Sequence, residues 1–305
     1  MLKKISIRKI LLSSVALFAI ALIYFIPSNE INVEQKLEYV DKEMEQSNIF
    51  LMDKNSFVAL TDVPVGEKEI EKKAFELIKI LTIGGMDSKV PSGFSAILPP
   101  DTEVIDVTYD HGVLKVNFSK EVLDVDKELE EKMIESIIYT LTSIDKVDKI
   151  VIYVEGDILT KLPKTKIILP STLDRSFGIN KEFDLTNTKS ITDVTVYYIN
   201  QINDNYYYVP VTKYLNDDRE RLDIIIDELS VGFNPNKKLK SYLSEDVSVI
   251  SKEISDGKIV LDFKENDYNS GVSQNIDKTV VLSICETYKV NSVDLNNNEK
   301  DCKNV

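Results

Sequence analysis

The stretch that decides the fold is HGVLKVNF at 111–118, because it reappears as DGKIVLDF at 256–263. In both copies a glycine at the second position is followed by apolar side chains at every second residue, the period of a β-strand with one buried face. The VPV triplet at 63–65 likewise returns at 209–211. The sequence therefore predicts two copies of one small domain.

Each copy is predicted to form a hairpin, a helix, a second hairpin, a second helix and a strand. In the first copy, apolar residues flank the turn-forming residues 53–56, and Asp110-His111-Gly112 forms the tight turn of the second hairpin. Because a sheet must bury its apolar face against helices, the fold class is α+β, with two tandem two-layer sheet/helix domains. The second helices are marked by residues four apart in both copies: Leu129, Met133, Ile137 and Leu141 in the first, and Val272, Ile276, Val280 and Ile284 in the second.

An apolar run at 10–26 follows four basic residues, Lys3, Lys4, Arg8 and Lys9. This uncharged run has the length of a short membrane-spanning helix and exceeds the apolar core of a cleaved signal. It predicts an N-terminal transmembrane helix with its basic end in the cytoplasm and the repeats outside. Cleavage after Ala21, at the end of a small-x-small site, is the alternative.

The connection between the two copies contains Leu162-Pro163, Leu169-Pro170 and residues 174–180, DRSFGIN. Its apolar content is too high for a free linker, so it is expected to pack against one or both domains. The predicted segments are a cytoplasmic basic tip (1–9), a transmembrane signal-anchor (10–26), a tether (27–47), domain 1 (48–160), an inter-domain connector (161–190), domain 2 (191–298) and a tail (299–305).

The chain is acidic, with 51 Asp and Glu against 37 Lys and Arg and a formal net charge of −14. A surface of this charge repels phosphate groups, so we expect no nucleic acid partner.

The single histidine, His111, stands at the turn of the second hairpin, where the other copy has Asp256. Because both residue types favour turns, a turn role is favoured over a catalytic base. One histidine without a Cys/His cluster gives no support for zinc, and no Gly-rich phosphate loop is present. We therefore predict no catalytic, cofactor-binding or metal-binding residue, no cofactor, and no enzyme.

Three polar features are interpreted structurally. The two cysteines, Cys285 and Cys302, lack metal-site or framework spacing and are expected as a core thiol and a tail thiol, with a bridge as the alternative. The run Asn216-Asp217-Asp218 is expected to cap a helix of the second copy and to supply its first-turn acids, in preference to binding a metal.

A cluster of six tyrosines surrounds the first predicted hairpin of the second copy. Packing along a strand pair accounts for aromatic residues at this spacing, and alternation divides them between two faces. A platform for sugar stacking or partner binding is the alternative, since exposed tyrosine is enriched at interfaces. The cluster consists of Tyr197, Tyr198, Tyr206, Tyr207, Tyr208 and Tyr214.

Four segments of the first copy carry a family pattern: GFSAILPPDT at 93–102, VNFS at 116–119, YTLT at 139–142 and VDKIVIYVEG at 147–156. They resemble the GerMN (germane) domain, and the resemblance covers roughly residues 48–298. The second copy departs at two places: Leu243-Ser244 replaces a Leu-Pro turn, and Asn296-Asn297-Asn298 stands where the family has glycine.

The resemblance implies tandem domains similar to the ring-building motifs of secretion systems, in an exported, membrane-tethered protein of sporulation and germination. We therefore expect a noncatalytic scaffold of the cell envelope, located at the cell membrane with a single pass and extracytoplasmic domains. Its expected partners are envelope proteins or further copies of itself. An extracellular binding module for cell-wall polymer or a small ligand is the alternative, and an exported hydrolase is a third possibility.

Overall fold

The computed structural model describes residues 44–203, 205–230, 239–241, 243, 249–255, 257–264 and 273–302. The predicted basic tip (1–9) and transmembrane segment (10–26) lie outside the described residues, as does the tether up to residue 43. Within the described ranges, no helix is long and apolar enough to cross a membrane.

The predicted order of elements in the first copy, called repeat 1, is confirmed. The apolar stripe that predicts its first helix is buried, including Ala74, Ile78 and Leu81. The elements of repeat 1 are β1 (Glu45–Asp53), β2 (Val58–Val65), α1 (Ile70–Leu81), β3 (Phe94–Ser95), β4 (Val104–Asp110), β5 (Val113–Phe118), α2 (Glu130–Leu141), β6 (Lys149–Val154) and β7 (Asp157–Ile158).

The second copy, repeat 2, has the same order of hairpin, helix, hairpin, helix and strand, and ends in a further strand. The connector packs as predicted, since Leu162, Leu173 and Ile179 are buried in the core of repeat 1. The remaining elements are β8 (Glu182–Asp184) in the connector, then β9 (Thr192–Ile202), β10 (Asn205–Leu215), α3 (Arg221–Ser230), β11 (Val249–Ser255), β12 (Lys258–Phe263), α4 (Ser273–Tyr288), β13 (Ser292–Leu295) and β14 (Asn298–Asp301).

The described strands form three sheets. Each repeat has its own four-stranded sheet, in the order β4-β5-β6-β7 for repeat 1 and β11-β12-β13-β14 for repeat 2. In both, the second and third strands are parallel and a helix, α2 or α4, makes the crossover between them. The first hairpins share the third sheet, in which β2 of repeat 1 pairs with β10 of repeat 2.

The strands that join the repeats are equivalent to each other. The VPV triplet at 63–65 lies in β2 and its copy at 209–211 lies in β10, and the two strands pair antiparallel with Leu60 opposite Tyr208. Antiparallel pairing of equivalent strands relates the repeats by a local two-fold axis, as in an isologous dimer. This contact therefore joins the same strand of the two repeats.

The second helix of repeat 1 is enclosed more fully than a two-layer packing requires. Helix α2 contacts β1 and β2 of the shared sheet as well as β6 of the four-stranded sheet. Ten of its twelve residues are buried, among them Ser136 and Thr140. The α+β prediction is confirmed, and the added contact explains why polar residues lie in this helix: they bind the hairpin.

The same bond between the second helix and the first hairpin occurs in both repeats. In repeat 1, the Phe50 N–H donates to Thr140 Oγ1 at 3.0 Å, and Ser136 Oγ donates to the Phe50 carbonyl. In repeat 2, the Tyr197 N–H donates to Ser283 Oγ at 2.9 Å. Thr140 and Ser283 occupy equivalent helix positions, so the duplication extends to individual hydrogen bonds.

Each repeat has its own hydrophobic cluster, with side chains crossing between them. The cluster of repeat 1 contains Phe118 and also takes in Tyr197, Tyr208 and Leu282 from repeat 2. The cluster of repeat 2 contains Phe263 and takes in Ala59 of β2. The repeats therefore keep distinct cores that touch where the shared sheet joins them.

The hairpin turns show why two sequence positions differ between copies. His111 and Gly112 both have positive φ, 44° and 84°, which fits a two-residue turn in which asparagine, aspartate, histidine and glycine are tolerated. After β13, Asn296 and Asn297 have φ of 51° and 64°. Asparagine thus supplies the left-handed turn where the family has glycine, so the departure in repeat 2 preserves the backbone.

The prediction of two free thiols is wrong, because Cys285 of α4 forms a disulfide with Cys302. The pairing depends on β14, which folds back along β13 and brings Cys302 alongside the helix, where its N–H donates to the Asn291 carbonyl at 2.9 Å. Three of the four residues of that return strand lie in the segment predicted as a tail (299–305), so the spacing of the cysteines in sequence gives no indication of their contact.

The helix-capping role predicted for 216–218 is also wrong. Helix α3 begins at Arg221, and Asn216 Oδ1 instead accepts N–H groups of Thr186 and Asn187 at 2.7 and 3.1 Å. Asp217 binds Arg219. A polar side chain that satisfies backbone groups of the connector resembles a cap in sequence, because both tasks use the same residue types.

Candidate functional site

The residue that joins the two repeats is Asn180 of the connector. Its Oδ1 accepts the Val58 N–H at 3.0 Å, and its Nδ2 donates to the carbonyls of Val58 and Pro210, both at 2.7 Å. Val58 lies in β2 of repeat 1 and Pro210 in β10 of repeat 2. Asn180 has φ of 46°, a conformation that asparagine adopts more readily than most residues. One side chain therefore bonds to both halves of the molecule.

The main chain of Asn180 reaches a buried acid. Its N–H donates to Glu135 Oε2 of α2 at 3.0 Å, and Glu135 is only 2% exposed. Burial raises the pKa of Glu135 to about 7, although the Asn180 N–H and the nearby Lys181 ammonium act in the opposite direction. The connector is thus held to repeat 1 by a carboxylate that carries a substantial desolvation cost.

A second polar link is made by Arg175 of the connector. Its guanidinium lies 4.9 Å from the Tyr139 ring centroid and donates to Thr142 Oγ1 at 2.9 Å and Ser143 Oγ at 2.8 Å. It also pairs with Glu286 of α4. Burial lowers the pKa of Arg175, but the Glu286 carboxylate together with the Tyr197 and Tyr139 hydroxyl groups outweighs it, and the net shift is upward. The ion pair connects the second helices of the two repeats. We call Asn180, Glu135 and Arg175 the junction.

Beside the junction lies an open cleft of about 480 Å³ that both repeats line. Its wall includes Arg175, Glu286 and the disulfide of Cys285 and Cys302. Charged groups of both signs line this cleft, and Arg175 and Glu286 form an ion pair there.

A second concave surface lies within repeat 1, between α1 and the edge strand β4. This groove has a volume of about 570 Å³ and apolar walls that include Phe75, Met86 and Ile105. Phe75 is 38% exposed and Ile105 is 51% exposed, so large apolar side chains meet solvent here. A strand edge beside an apolar groove has the chemistry that binds an extended segment of another chain.

The exposed isoleucine of β4 has an equivalent in repeat 2. Ile250 of β11 occupies the same position of the repeat as Ile105 and is 66% exposed. Among the described strands, β4 pairs only with β5 and β11 only with β12. Each repeat therefore presents an edge strand with an exposed isoleucine at the same place.

The residues considered for chemistry in the sequence lie apart from these surfaces. The His111 side chain is 95% exposed at its turn, and its imidazole contacts the neighbouring Asp110 carboxylate. In the part of the chain that the structure describes, no three His, Cys, Asp or Glu side chains come together to hold a metal ion.

The tyrosine cluster is used mainly for packing. Tyr197, Tyr198, Tyr207 and Tyr208 are each at most 8% exposed. Hydroxyl groups of the cluster reach acids within the fold, such as Tyr207 to Asp53 Oδ2 at 2.7 Å. Only Tyr206 is exposed, at 43%, so the six side chains do not form a continuous aromatic platform.

The junction is what sequence reasoning missed. The segment 174–180 is predicted to be ordered, yet nothing in it singles out Asn180 or Glu135 as partners. One signal was present: the chain has only four arginines, and Arg175 is one of them. In a chain that uses lysine for most of its positive charge, an arginine indicates a planar, multiply bonded contact.

Known proteins share sequence similarity with both repeats of this chain. The family model "Germane: Sporulation and spore germination" matches residues 23–160 and 195–301, which together exceed half of the chain. The spore germination protein GerM of Bacillus subtilis (strain 168) is 34% identical over 263 residues, covering 83% of this chain and 71% of that protein.

A solved structure shows the same arrangement of repeats. The tandem GerMN domains of the sporulation protein GerM from Bacillus subtilis superpose with a TM-score of 0.75 and 32% sequence identity. The match covers 83% of this chain and 90% of that chain. It therefore spans both repeats.

Proposed function

The chain belongs to the Germane (GerMN) family, and from that premise we propose that it is an exported, membrane-anchored, noncatalytic scaffold of the cell envelope. In this role it is GerM-like and contributes to assembling a sporulation or germination complex. The 34% identity to a spore germination protein and the superposition on a tandem-domain sporulation protein support the assignment.

The observation that carries the scaffold role is the pair of equivalent edge strands, β4 and β11. Each has one unpaired side among the described strands, and each exposes an isoleucine, Ile105 or Ile250. The junction meanwhile bonds the repeats to each other through Asn180 and Arg175. A body with two equivalent, separate strand edges is suited to binding two protein segments by strand addition.

Membrane anchoring is proposed from the sequence of residues 10–26 and the bases that precede it. External protease added to intact protoplasts should then release both repeats and leave the anchor. Mass spectrometry of the mature amino terminus tests the alternative, because cleavage after Ala21 would give a chain that begins at Leu22. Recovery of that chain in the soluble fraction would overturn the anchor.

A binding module for cell-wall polymer or a small ligand is the second candidate function. The polar cleft of about 480 Å³ between the repeats favours it, because a concave site with charged groups can hold a polar ligand.

The test is cross-linking of the full-length chain in intact cells, followed by purification from membranes. Ile105→Asp and Ile250→Asp place a charge on each strand edge and should reduce recovery of cross-linked envelope proteins. Ile168→Asp is the matched control, since Ile168 is 79% exposed but lies in the connector. All three exposed sites are expected to change stability by only about 0.5 kcal/mol.

The outcomes separate the two candidates. Loss of protein partners in the two edge variants, with retention in Ile168→Asp, supports the scaffold. Recovery of glycan without any protein partner would contradict the scaffold and favour the binding module.

A further inference from the structure

Glu135 is a carboxylate enclosed between α2 and the connector. Its nearest donors are the Asn180 N–H at 3.0 Å and the Lys181 ammonium at 3.9 Å. That ammonium lies closer to another acid, Glu131, at 2.7 Å. One N–H and a shared cation replace only part of the hydration that a carboxylate loses on burial. The charged form of Glu135 is therefore unfavourable in free energy while the connector covers it, which we call the closed state.

The segment that covers Glu135 is the same segment that joins the repeats. Asn180 gives its N–H to the carboxylate and its side chain to Val58 and Pro210. Its neighbour Ile179 exchanges hydrogen bonds with Thr212 of β10, at 2.9 Å to Oγ1 and 2.8 Å from the Thr212 N–H. Any movement that hydrates Glu135 by lifting this segment also separates bonds between the repeats.

We propose that Glu135 and Asn180 form a proton-sensitive latch, in which ionisation of Glu135 favours opening of the connector and loosening of the junction between the repeats. The latch goes beyond the scaffold role and does not depend on it. It makes the coupling of the two repeats stronger at weakly acidic pH than at neutral pH.

The direction follows from the two states of the carboxyl group. In the closed state, burial raises its pKa to about 7, whereas a hydrated glutamate has a pKa near 4.3. The closed state therefore binds the proton more tightly, and its advantage is lost as pH rises between these values. The charged or titratable groups that face Glu135 are Lys181 of the connector, Glu131 and Lys132 of α2, and Tyr214 of β10.

Lysine and tyrosine do not normally change charge between pH 5 and pH 8, so the pH response in that range is assigned to a carboxyl group. Each pH unit between the two pKa values changes the opening constant by up to about tenfold, and from pH 5 to pH 7 the increase is on the order of 40-fold. Glu131 is the other carboxyl group, and its side chain is 38% exposed.

The test is hydrogen exchange of the full-length chain in detergent micelles at pH 5, 6 and 7, read from peptides that contain Ile179 and Asn180. Each rate is divided by the intrinsic exchange rate at that pH to give the opening constant. The wild type should show the rise of about 40-fold. Glu135→Gln, which keeps the shape and an acceptor for the Asn180 N–H, should flatten it. Glu131→Gln, which removes a neighbouring charge on the same helix, should retain it.

A flat profile in the wild type would overturn the latch, and so would an unchanged slope in Glu135→Gln. The wild-type profile decides alone if that variant does not fold. Asn180→Gly gives a separate test, because it keeps the N–H and the left-handed backbone but removes the bonds to Val58 and Pro210. It should raise the opening constant at every pH and leave the slope intact. An unchanged opening constant would contradict the role of Asn180.

Discussion

The two repeats secure the end of their second helix by different chemistry at one equivalent position. In repeat 1 this position is Thr142, whose Oγ1 accepts a hydrogen bond from Arg175 of the connector. In repeat 2 it is Cys285, which forms a disulfide with Cys302 directly after β14. The connector binds the end of α2 in repeat 1, and through Arg175 it also binds repeat 2. The comparison shows that the same position of the repeat carries a noncovalent link in one copy and a covalent link in the other.

The largest expected effect tests whether each repeat owns its core. Phe118 and Phe263 are equivalent, with 0% and 3% exposure, and replacing either by alanine should cost about 3–5 kcal/mol. Because each lies in its own cluster, Phe118→Ala should increase hydrogen exchange mainly in β5 and β6. Phe263→Ala should increase it mainly in β12 and β13. Equal loosening of both repeats by both variants would contradict separate cores.

The disulfide should give the next largest effect. Its cysteines are 17 residues apart, and closing a loop of about this length stabilises a protein by about 3 kcal/mol. Cys302→Ser should lower the free energy of unfolding of repeat 2 by that amount in urea denaturation. Wild-type protein treated with a reductant is the control and should match the variant. Agreement of Cys302→Ser with untreated wild type would show that the bond contributes nothing.

The noncovalent link of repeat 1 should be weaker. Thr142→Val removes the acceptor for Arg175 Nε and should cost about 1–2 kcal/mol, since the guanidinium keeps Ser143 and Glu286 as partners. Urea denaturation measures this loss as well. Adding reductant to Thr142→Val should not lower the free energy of unfolding of repeat 1 any further. A larger loss of unfolding free energy in Thr142→Val than in Cys302→Ser would contradict the prediction that the noncovalent link is the weaker one.

The elements of the fold could be predicted from sequence because they rest on local periodicity. Apolar residues at every second position predicted β5 and β12, and the repetition of HGVLKVNF as DGKIVLDF predicted the duplication. The shared sheet could not be derived in the same way. Pairing of β2 with β10 depends on which strand edge remains unpaired after each repeat has folded. The sequence of a single repeat does not show which edge this is.

The junction was beyond sequence reasoning for a related reason. Asn180 and Glu135 are common residue types that acquire their roles through contacts 45 residues apart. The disulfide cannot be predicted from the sequence pattern, because most of the return strand β14 falls in the predicted tail. The capping prediction for residues 216–218 is wrong because capping a helix and binding a loop use the same side chains. In each case the contact joins residues that are distant in the sequence, and local sequence patterns do not predict such contacts.

The most direct test of the account is the distance between the two repeats in the full-length chain. Nitroxide-bearing non-natural residues can be placed at the exposed positions 105 and 250, which leaves the Cys285–Cys302 disulfide intact. Pulsed electron spin resonance at pH 6 should give one narrow distance distribution, because Asn180 and Arg175 bond the repeats into one body. A broad distance distribution at this pH, in the chain with no other substitution, would contradict the claim that the junction holds the two repeats as one body.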